Sequence, residues 1–184
     1  MIKSKQALID QSADANNSLG CHKLKSMSNE NKTTVLKVLI ERVHSLKSGG
    51  KINEAIRTAQ TAVDTARRLI ETNPDQTSNL ITALELYGDL LRESDNYVDS
   101  ELIYIEALEK TKSADPDNEQ LARIKSSLAS VYDFNQSPEP AISLYQEAIE
   151  LFAGLVPPSE LDVANLRNNL GMLYKENGDF GFSF

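Results

Sequence analysis

The stretch SLASVYDFNQSPEPAISLYQEAIELF, residues 127–152, decides the fold of this chain. Its apolar residues recur at helical spacing, and the alternation typical of a β-strand is not present. Small residues stand at Ala129 on one side of the central turn and at Ala141 and Ala148 on the other. Two antiparallel helices approach closely only where their side chains are small, so these alanines are expected to face each other. The stretch therefore predicts a helix hairpin.

The arrangement recurs along the chain at intervals of 45, 41 and 42 residues, measured between equivalent residues in the middle of each first helix. These residues, called origins below, are Val43, Gly88, Ala129 and Gly171. Small residues follow the origins by twelve positions at Ala55, Ser100, Ala141 and Ser183, and by nineteen positions at Ala62, Ala107 and Ala148. Sixteen positions after the origins stand Ala59, Tyr104 and Tyr145. Because these offsets recur and heptads do not persist, the sequence predicts stacked hairpins rather than a plain bundle or a coiled coil.

The offsets also predict contacts within and between units. Gly88 is expected to face Ser100 and Ala107, and the ring at the sixteenth offset is expected to plug into the next hairpin. The ends of the second helices are predicted by Pro74, Pro116 and Pro157, because proline lacks the backbone N–H and clashes with the preceding turn. Ser159, three residues before Asp162, is expected to cap the last first helix.

The first unit matches the pattern least well. Arg42 stands one residue before the origin, where the other units have Tyr87, Leu128 and Leu170. Two interpretations remain open: a capping adaptation, since an end helix faces water on one side, or a shift of the first hairpin by a residue or more. Before this unit, residues 1–32 consist mostly of Ser, Asn, Gln, Lys and Asp, which predicts a flexible polar tail.

Composition excludes several functions. The net charge is −8, with +2 on residues 1–32 and −10 on residues 33–184, so the body should repel a nucleic-acid backbone. The single Cys21 permits neither an intramolecular disulfide nor a cysteine-based zinc site, and it is compatible with a reducing, cytoplasmic location. The sequence has no run of eighteen apolar residues, so no membrane-spanning helix is predicted.

Catalysis is not predicted, and no metal or cofactor is expected. The only histidines are His22, which lies beside Cys21 in the tail, and His44, which follows an origin on a helix. A lone histidine without a nucleophile or a second shell is more typical of a helix surface than of a general base. The pair Gly49-Gly50 is expected to form a turn rather than a phosphate-binding loop.

The pattern resembles the tetratricopeptide repeat, and its spacing of about 42 residues resembles the kinesin light chain subtype. The resemblance rests on residues 127–152 and on LRNNLGMLYKENGDF, residues 166–180, and it covers about residues 33–184. It implies an all-α, right-handed α-solenoid with about three and a half repeats. The predicted units lie at about 35–74, 78–116 and 119–157, with an incomplete unit at 159–184.

The resemblance also implies a non-catalytic adaptor in which the first helices line a concave surface that binds peptides. Six residues before the origins stand Lys37, Thr82, Arg123 and Asn165, and four after them stand Lys47, Arg92, Asp133 and Lys175. Five of these eight are cationic, against 19 Lys and Arg among all 184 residues, which predicts a basic trough for an acidic segment of a protein partner. His44 is also expected to line the groove. The alternative is an ordinary solvated helix surface.

The kinesin light chain resemblance implies that Asn168 and Asn169, with Asn165 nearby, hydrogen-bond the backbone of a bound peptide, because side-chain amides pair with both N–H and C=O groups. It further suggests a cytoskeletal setting. Small bacterial light-chain-like proteins associate with tubulin-like filaments, so a tubulin-like partner is expected. The second and third units do not continue the asparagines.

The end of the chain raises a separate question. Leu170, Leu173 and Tyr174 are expected to form an apolar face left exposed by a missing second helix, and they are followed by three phenylalanines. These are Phe180, Phe182 and Phe184. Three explanations remain open: the phenylalanine segment folds back as a lid, two chains form a homodimer through this end, or the chain is an incomplete piece.

Two further functions stand as alternatives to the adaptor. A membrane-linked structural protein would use the lysine-bearing tail and the phenylalanine-rich terminus, although stable anchoring normally needs two strong signals. An enzyme would have to depend on His44.

Overall fold

The computed structural model describes residues 31–113 and 118–178, and within these ranges the secondary structure is helical, with no strand. The helices are α1 at residues 31–48, α2 at Ile52–Thr72, α3 at Thr77–Glu93, α4 at Tyr97–Ser113, α5 at Asn118–Phe134, α6 at Pro138–Ala153 and α7 at Glu160–Glu176. A single 3-10 turn, Pro74–Gln76, precedes α3. The predicted all-α fold is confirmed.

The helices stack in chain order. Each helix from α2 to α7 packs mainly on the helices next to it in sequence, and the first helices α3 and α5 also touch. Helix α1 joins the stack through Val43, which lies in one buried cluster with Ala55, Ala59 and Leu90. A compact bundle would instead bring together helices far apart in sequence, so the predicted solenoid is confirmed. The burial of Val43 also shows that the first unit is in the predicted register.

A left-handed residue ends every first helix. Gly50, Asp95, Gln136 and Gly178 all have φ between 57° and 77°, and each lies seven residues after its origin. In the first three units the following N–H bonds to the carbonyl five residues back at 2.9 Å, for example from Lys51 to Leu46. This is the Schellman cap, which satisfies the last carbonyls of a helix and turns the chain.

The ring at the sixteenth offset packs between two units. The Ser100 hydroxyl donates to the Gly88 carbonyl at 2.9 Å, which confirms the predicted contact. The side chain that lies directly over Gly88, however, is Tyr104: a Cβ added at Gly88 would be 2.9 Å from two atoms of its ring. The same ring shares a buried cluster with Ile124 and Leu128 of α5. Tyr104 therefore contacts its own first helix as well as the next hairpin.

We expect Gly88→Ala to lower the free energy of unfolding by about 1–2 kcal/mol, since overpacking costs about 1–3 kcal/mol and the helical preference of alanine returns up to about 1 kcal/mol. In a Tyr104→Leu background the same substitution should stabilise the chain, because the ring that it meets is gone. Chemical denaturation of the four proteins of this double-mutant cycle measures the coupling. Equal effects of Gly88→Ala in both backgrounds would contradict the close contact.

Several predicted boundaries can be compared directly. Helix α1 includes residues 31 and 32, which the sequence analysis placed in the tail. Ser159 is the N-terminal capping residue of α7, but its hydroxyl donates to the Asp162 carboxylate instead of accepting a backbone N–H. Helices α2 and α6 end before Pro74 and Pro157, as the prolines predict. Pro116 lies outside the described residues.

Candidate functional site

The candidate site is one side of the four first helices, called the groove face below. It comprises the residues six, three and two before each origin and one, four and five after it. Contacts between neighbouring helices show that these offsets share a side. Lys47 of α1 forms an ion pair with Glu93 of α3 at 2.8 Å, and Arg123 of α5 forms one with Glu85 of α3 at 2.9 Å.

Buried tyrosine hydroxyls also reach the groove face. The Tyr104 hydroxyl donates to Asp89 Oδ1 at 2.6 Å and hydrogen-bonds Ser127 of the next first helix. Burial, and then the Asp89 carboxylate, raise the pKa of Tyr104, so this hydroxyl stays protonated as a donor. The equivalent Tyr145 hydrogen-bonds Ser130 and Asn169. The groove face is therefore held together across units by tyrosines that enter from the second helices.

Two of the five predicted groove cations, Lys47 and Arg123, are bound to carboxylates of the chain itself. Lys47 pairs with Glu93, and Arg123 pairs with Glu85 and, at 2.8 Å, with Glu119. The amide of Gln120 also donates to Glu85 at 3.3 Å. These carboxylates already hold the cations that were expected to attract a partner's acidic side chains.

Arg92 is the groove cation with a buried donor that has no partner among the described residues. Its Nη2 reaches Asp89 Oδ1 at 3.3 Å, a long contact for a charged pair. Its Nε is buried and has no hydrogen-bond acceptor among the described residues. Buried donors are nearly always paired in folded proteins, so this guanidinium has bonding capacity left over.

The part of the groove face between α5 and α7 is acidic. Burial, and then the nearby Glu176 carboxylate, raise the pKa of Asp133. Beside it, Phe134 is 59% exposed and stacks on Tyr97, with ring centroids 4.8 Å apart. Counted over its offsets, the groove face carries five Lys and Arg against six carboxylates, so the predicted basic strips lie among acidic side chains. The carboxylates are Glu41, Glu85, Asp89, Glu93, Asp133 and Glu176.

The remaining predicted groove residues are exposed. They are Lys37, His44, Asn165, Asn168, Asn169 and Lys175. Neither Lys37 nor Lys175 forms an ion pair with a described residue. The Asn168 side chain is exposed, and its amide contacts only the sulfur of Met172, at 3.8 Å, among the described residues. His44 belongs to no group of three or more metal-ligating side chains in the described ranges.

The predicted exposed end is wrong for three of its residues. Leu170, Leu173 and Tyr174 are buried, with Leu170 only 5% exposed, because they pack on helix α6 in one cluster with Tyr145 and Phe152. The Tyr174 hydroxyl also accepts a hydrogen bond from Gln146 at 3.1 Å.

The exposed apolar side chains of α7 are instead Leu161, at 73%, and Met172, at 56%. Phe180, Phe182 and Phe184 lie outside the described residues, as does nearly all of the predicted tail. The lid, the dimer and the membrane contact therefore remain predictions.

Two features of the groove face were missed in the sequence analysis. The side chains of Tyr104 and Tyr145 were treated only as apolar rings, and their hydroxyls were not considered. Two tyrosines at one offset are a signal that the hydroxyl has a function. Phe134 was overlooked because it stands five residues after its origin, where the other units have Ser48, Glu93 and Glu176.

No helix in the described part of the chain is long and apolar enough to cross a membrane. A family comparison gives a positive result: residues 79–153, which span α3 to α6, match the tetratricopeptide repeat family model. Residues 79–153 therefore carry tetratricopeptide repeats. The match covers the second and third units, whose offsets first indicated the family.

Comparison with solved structures adds a relative of the predicted subtype. The chain is similar to the crystal structure of BtubC (BKLC) from P. vanneervenii, with a TM-score of 0.56 and 28% sequence identity. The alignment covers 70% of this chain and 51% of that chain, so the sequence spans about half the length of this relative.

A de novo designed helical repeat protein, DHR64, aligns over 82% of this chain and 76% of its own, with 19% identity. Its TM-score of 0.33 is too low to support an argument. Among curated proteins, none matches the sequence.

Proposed function

We propose that this chain is an adaptor that binds an extended segment of a partner protein along the groove face. Tetratricopeptide solenoids are protein–protein interaction scaffolds, typically without catalysis, and their stacked first helices offer an elongated binding surface. The order of the helices, the exposed asparagines of α7 and the bonding state of Arg92 support this function.

Arg92 is the observation that carries the proposal. It lies on α3, near the middle of the groove face, with a 3.3 Å contact to Asp89, a hydrogen bond with Tyr104 and a buried Nε that has no acceptor among the described residues. A carboxylate from a partner would give this guanidinium a shorter, charge-assisted contact than it has within the chain. An acidic side chain, or a chain-terminal carboxylate, is therefore the ligand group that we place at Arg92.

Two of the other groove cations, Lys47 and Arg123, would exchange partners rather than gain new ones. A carboxylate that approaches Lys47 or Arg123 has to displace Glu93 or Glu85, and exposed ion pairs of this kind contribute only about 0–1 kcal/mol each. Net attraction by charge is thus small. Most of the affinity should come from backbone hydrogen bonds to Asn165, Asn168 and Asn169, whose side chains are exposed on α7.

For the partner we propose a tubulin-like filament. The likeness to BtubC (BKLC) and the kinesin light chain spacing of the repeats both favour a cytoskeletal partner. Acidic surface segments, which tubulin relatives present, would supply the carboxylate for Arg92.

The proposal is tested by co-sedimentation of the full chain with filaments assembled from a bacterial tubulin-like protein. We expect the chain to pellet with the filaments and Arg92→Gln to weaken binding about tenfold or more, because a hydrogen bond to a charged group is worth about 1.5–3 kcal/mol. Lys175→Glu should weaken binding as well, since it reverses an exposed groove cation.

Arg68→Glu provides the matched control. Arg68 is exposed on α2 and lies outside the groove face, so its reversal makes the same charge change as Lys175→Glu elsewhere on the chain. Binding that is weakened equally by both reversals would reflect net charge alone and contradict the groove. Failure of the unmodified chain to pellet would contradict the tubulin-like partner.

A further inference from the structure

The solenoid has a second interaction surface at its first unit, separate from the groove face. In the later units, the residues five before, one before and two after each origin pack on the preceding second helix. They are Ala83, Tyr87 and Leu90, then Ile124, Leu128 and Val131, then Leu166, Leu170 and Leu173, all buried except the half-buried Tyr87. In α1 the same offsets hold Val38, Arg42 and Ser45, and all three are exposed. No second helix precedes α1 within the described residues.

An open cleft runs along this side of the first hairpin. It has a volume of about 400 Å³ and lies between α1 and α2, and we call it the first-unit cleft. Its lining residues are Leu39, Arg42, Glu54, Arg57, Thr58 and Thr61. Val35 and Val38, which are 51% and 56% exposed, precede Leu39 on α1 and extend its apolar surface.

The second unit shows what fits such a cleft. There the equivalent groove between α3 and α4 is occupied by α2, which packs on α3. Arg67 of α2 donates to the Glu106 carboxylate through Nε at 3.1 Å and Nη2 at 2.6 Å. The occupant is therefore an amphipathic helix, fixed by apolar packing and by one bidentate pair between Arg and Glu.

Charge decides the chemistry of the occupant. Arg42 and Arg57 line the first-unit cleft, and neither forms an ion pair with a described residue. Glu54, the only acid in the lining, is balanced by Lys51 at 3.6 Å. This leaves two arginines without an ion pair to a described residue, on a body whose net charge over residues 33–184 is −10.

We propose that the first-unit cleft binds an amphipathic helix of a partner protein that presents carboxylates to Arg42 and Arg57. Two other occupants are disfavoured by charge. A second copy joined by a two-fold axis would bring like arginines together, and residues 1–32 of the chain itself carry +2, the same sign as the cleft. The helix would pack its apolar side chains on Val35 and Val38.

A synthetic peptide of residues 97–113 serves as the probe, blocked at both ends and labelled with fluorescein. This is the sequence of α4, which packs on the equivalent surface of α5 and carries four carboxylates. We expect saturable anisotropy changes with the full chain. In the double variant Arg42→Glu/Arg57→Glu, binding should weaken about tenfold or more, as expected for loss of a charge-assisted contact.

The control is Lys175→Glu, which reverses a groove-face cation and should leave peptide binding within about twofold, because distant exposed charges are screened at physiological salt. Since Arg42 and Arg57 are exposed, their reversal should leave the melting temperature nearly unchanged. Hydrogen exchange adds a positional test: the peptide should protect amides of α1 and α2.

Four results would overturn the proposal. The first is absence of binding at about 1 mM peptide, because a Kd above that concentration is too weak for a docking site. The second is equal binding by the double variant, and the third is a dimer in light scattering that Arg42→Glu dissociates. The fourth is protection of α1 amides in the free chain that the double variant abolishes. The third result would assign the cleft to a second copy, and the fourth to the chain's own preceding residues. Failure of the filament experiment would leave this test unaffected, since Arg42 and Arg57 lie outside the groove face.

Discussion

Replacing Tyr104 by alanine is expected to lower the free energy of unfolding by about 3–5 kcal/mol, the usual cost of deleting a large buried aromatic side chain. The ring is 0% exposed and packs over Gly88 of its own unit and against α5 of the next. Its removal would therefore open a cavity between two units and take the hydroxyl away from Asp89.

Chemical denaturation of the full chain, followed by circular dichroism, measures this loss. Tyr104→Phe separates the two contributions, because it keeps the packing and loses only the hydroxyl; we expect it to cost about 1 kcal/mol. A loss below about 1 kcal/mol for Tyr104→Ala, well under the range for a buried ring, would mean that Tyr104 does not join the two units.

Leu170→Ala is expected to cost about 2–5 kcal/mol, because Leu170 is buried against α6. Leu161→Ala is the matched control on the same helix. Its side chain is 73% exposed, so the substitution should change stability by no more than about 0.5 kcal/mol.

The measurement is again denaturation, combined with hydrogen exchange of α7, because terminal units of a solenoid can open on their own. If both substitutions prove nearly neutral, Leu170 is exposed on α7. The exposed apolar face predicted from the sequence would then be correct. A large effect of Leu161→Ala alone would mean that the outer side of α7 is covered.

The fold could be predicted because the determining contacts repeat at fixed offsets. Close approach of two helices needs small side chains. Such residues recur once per unit, because Gly88 and Ala129 are each followed by an alanine at the same spacing. Even the first unit, where Arg42 replaces an apolar residue, keeps its register, because Val43 is the residue that packs on Ala55 and Ala59.

The ion pairs of the groove face could not be predicted in the same way, because they join different offsets in neighbouring units. Lys47 stands four residues after its origin, and its partner Glu93 stands five after the next one, 46 residues away. A strip read at one offset collects the cations and omits the acids that neutralise them. The pairing becomes visible only when adjacent helices are placed side by side.

The open end was predicted wrongly for a related reason. Leu170 was assigned to a second helix that should follow α7, whereas the same offset in the third unit, Leu128, packs against the helix that precedes it. Comparison between units would have given the right neighbour, since a first helix has apolar surface on two sides.

The Schellman caps have a consequence for how this chain can be altered. Reversal of direction after each first helix depends on one torsion angle, adopted by two glycines, an aspartate and a glutamine, and not on any particular side-chain contact. The geometry of each turn thus depends little on which side chains the turn carries. Loops along this edge can accumulate charge or bulk, or acquire new specificity, without disturbing the superhelix.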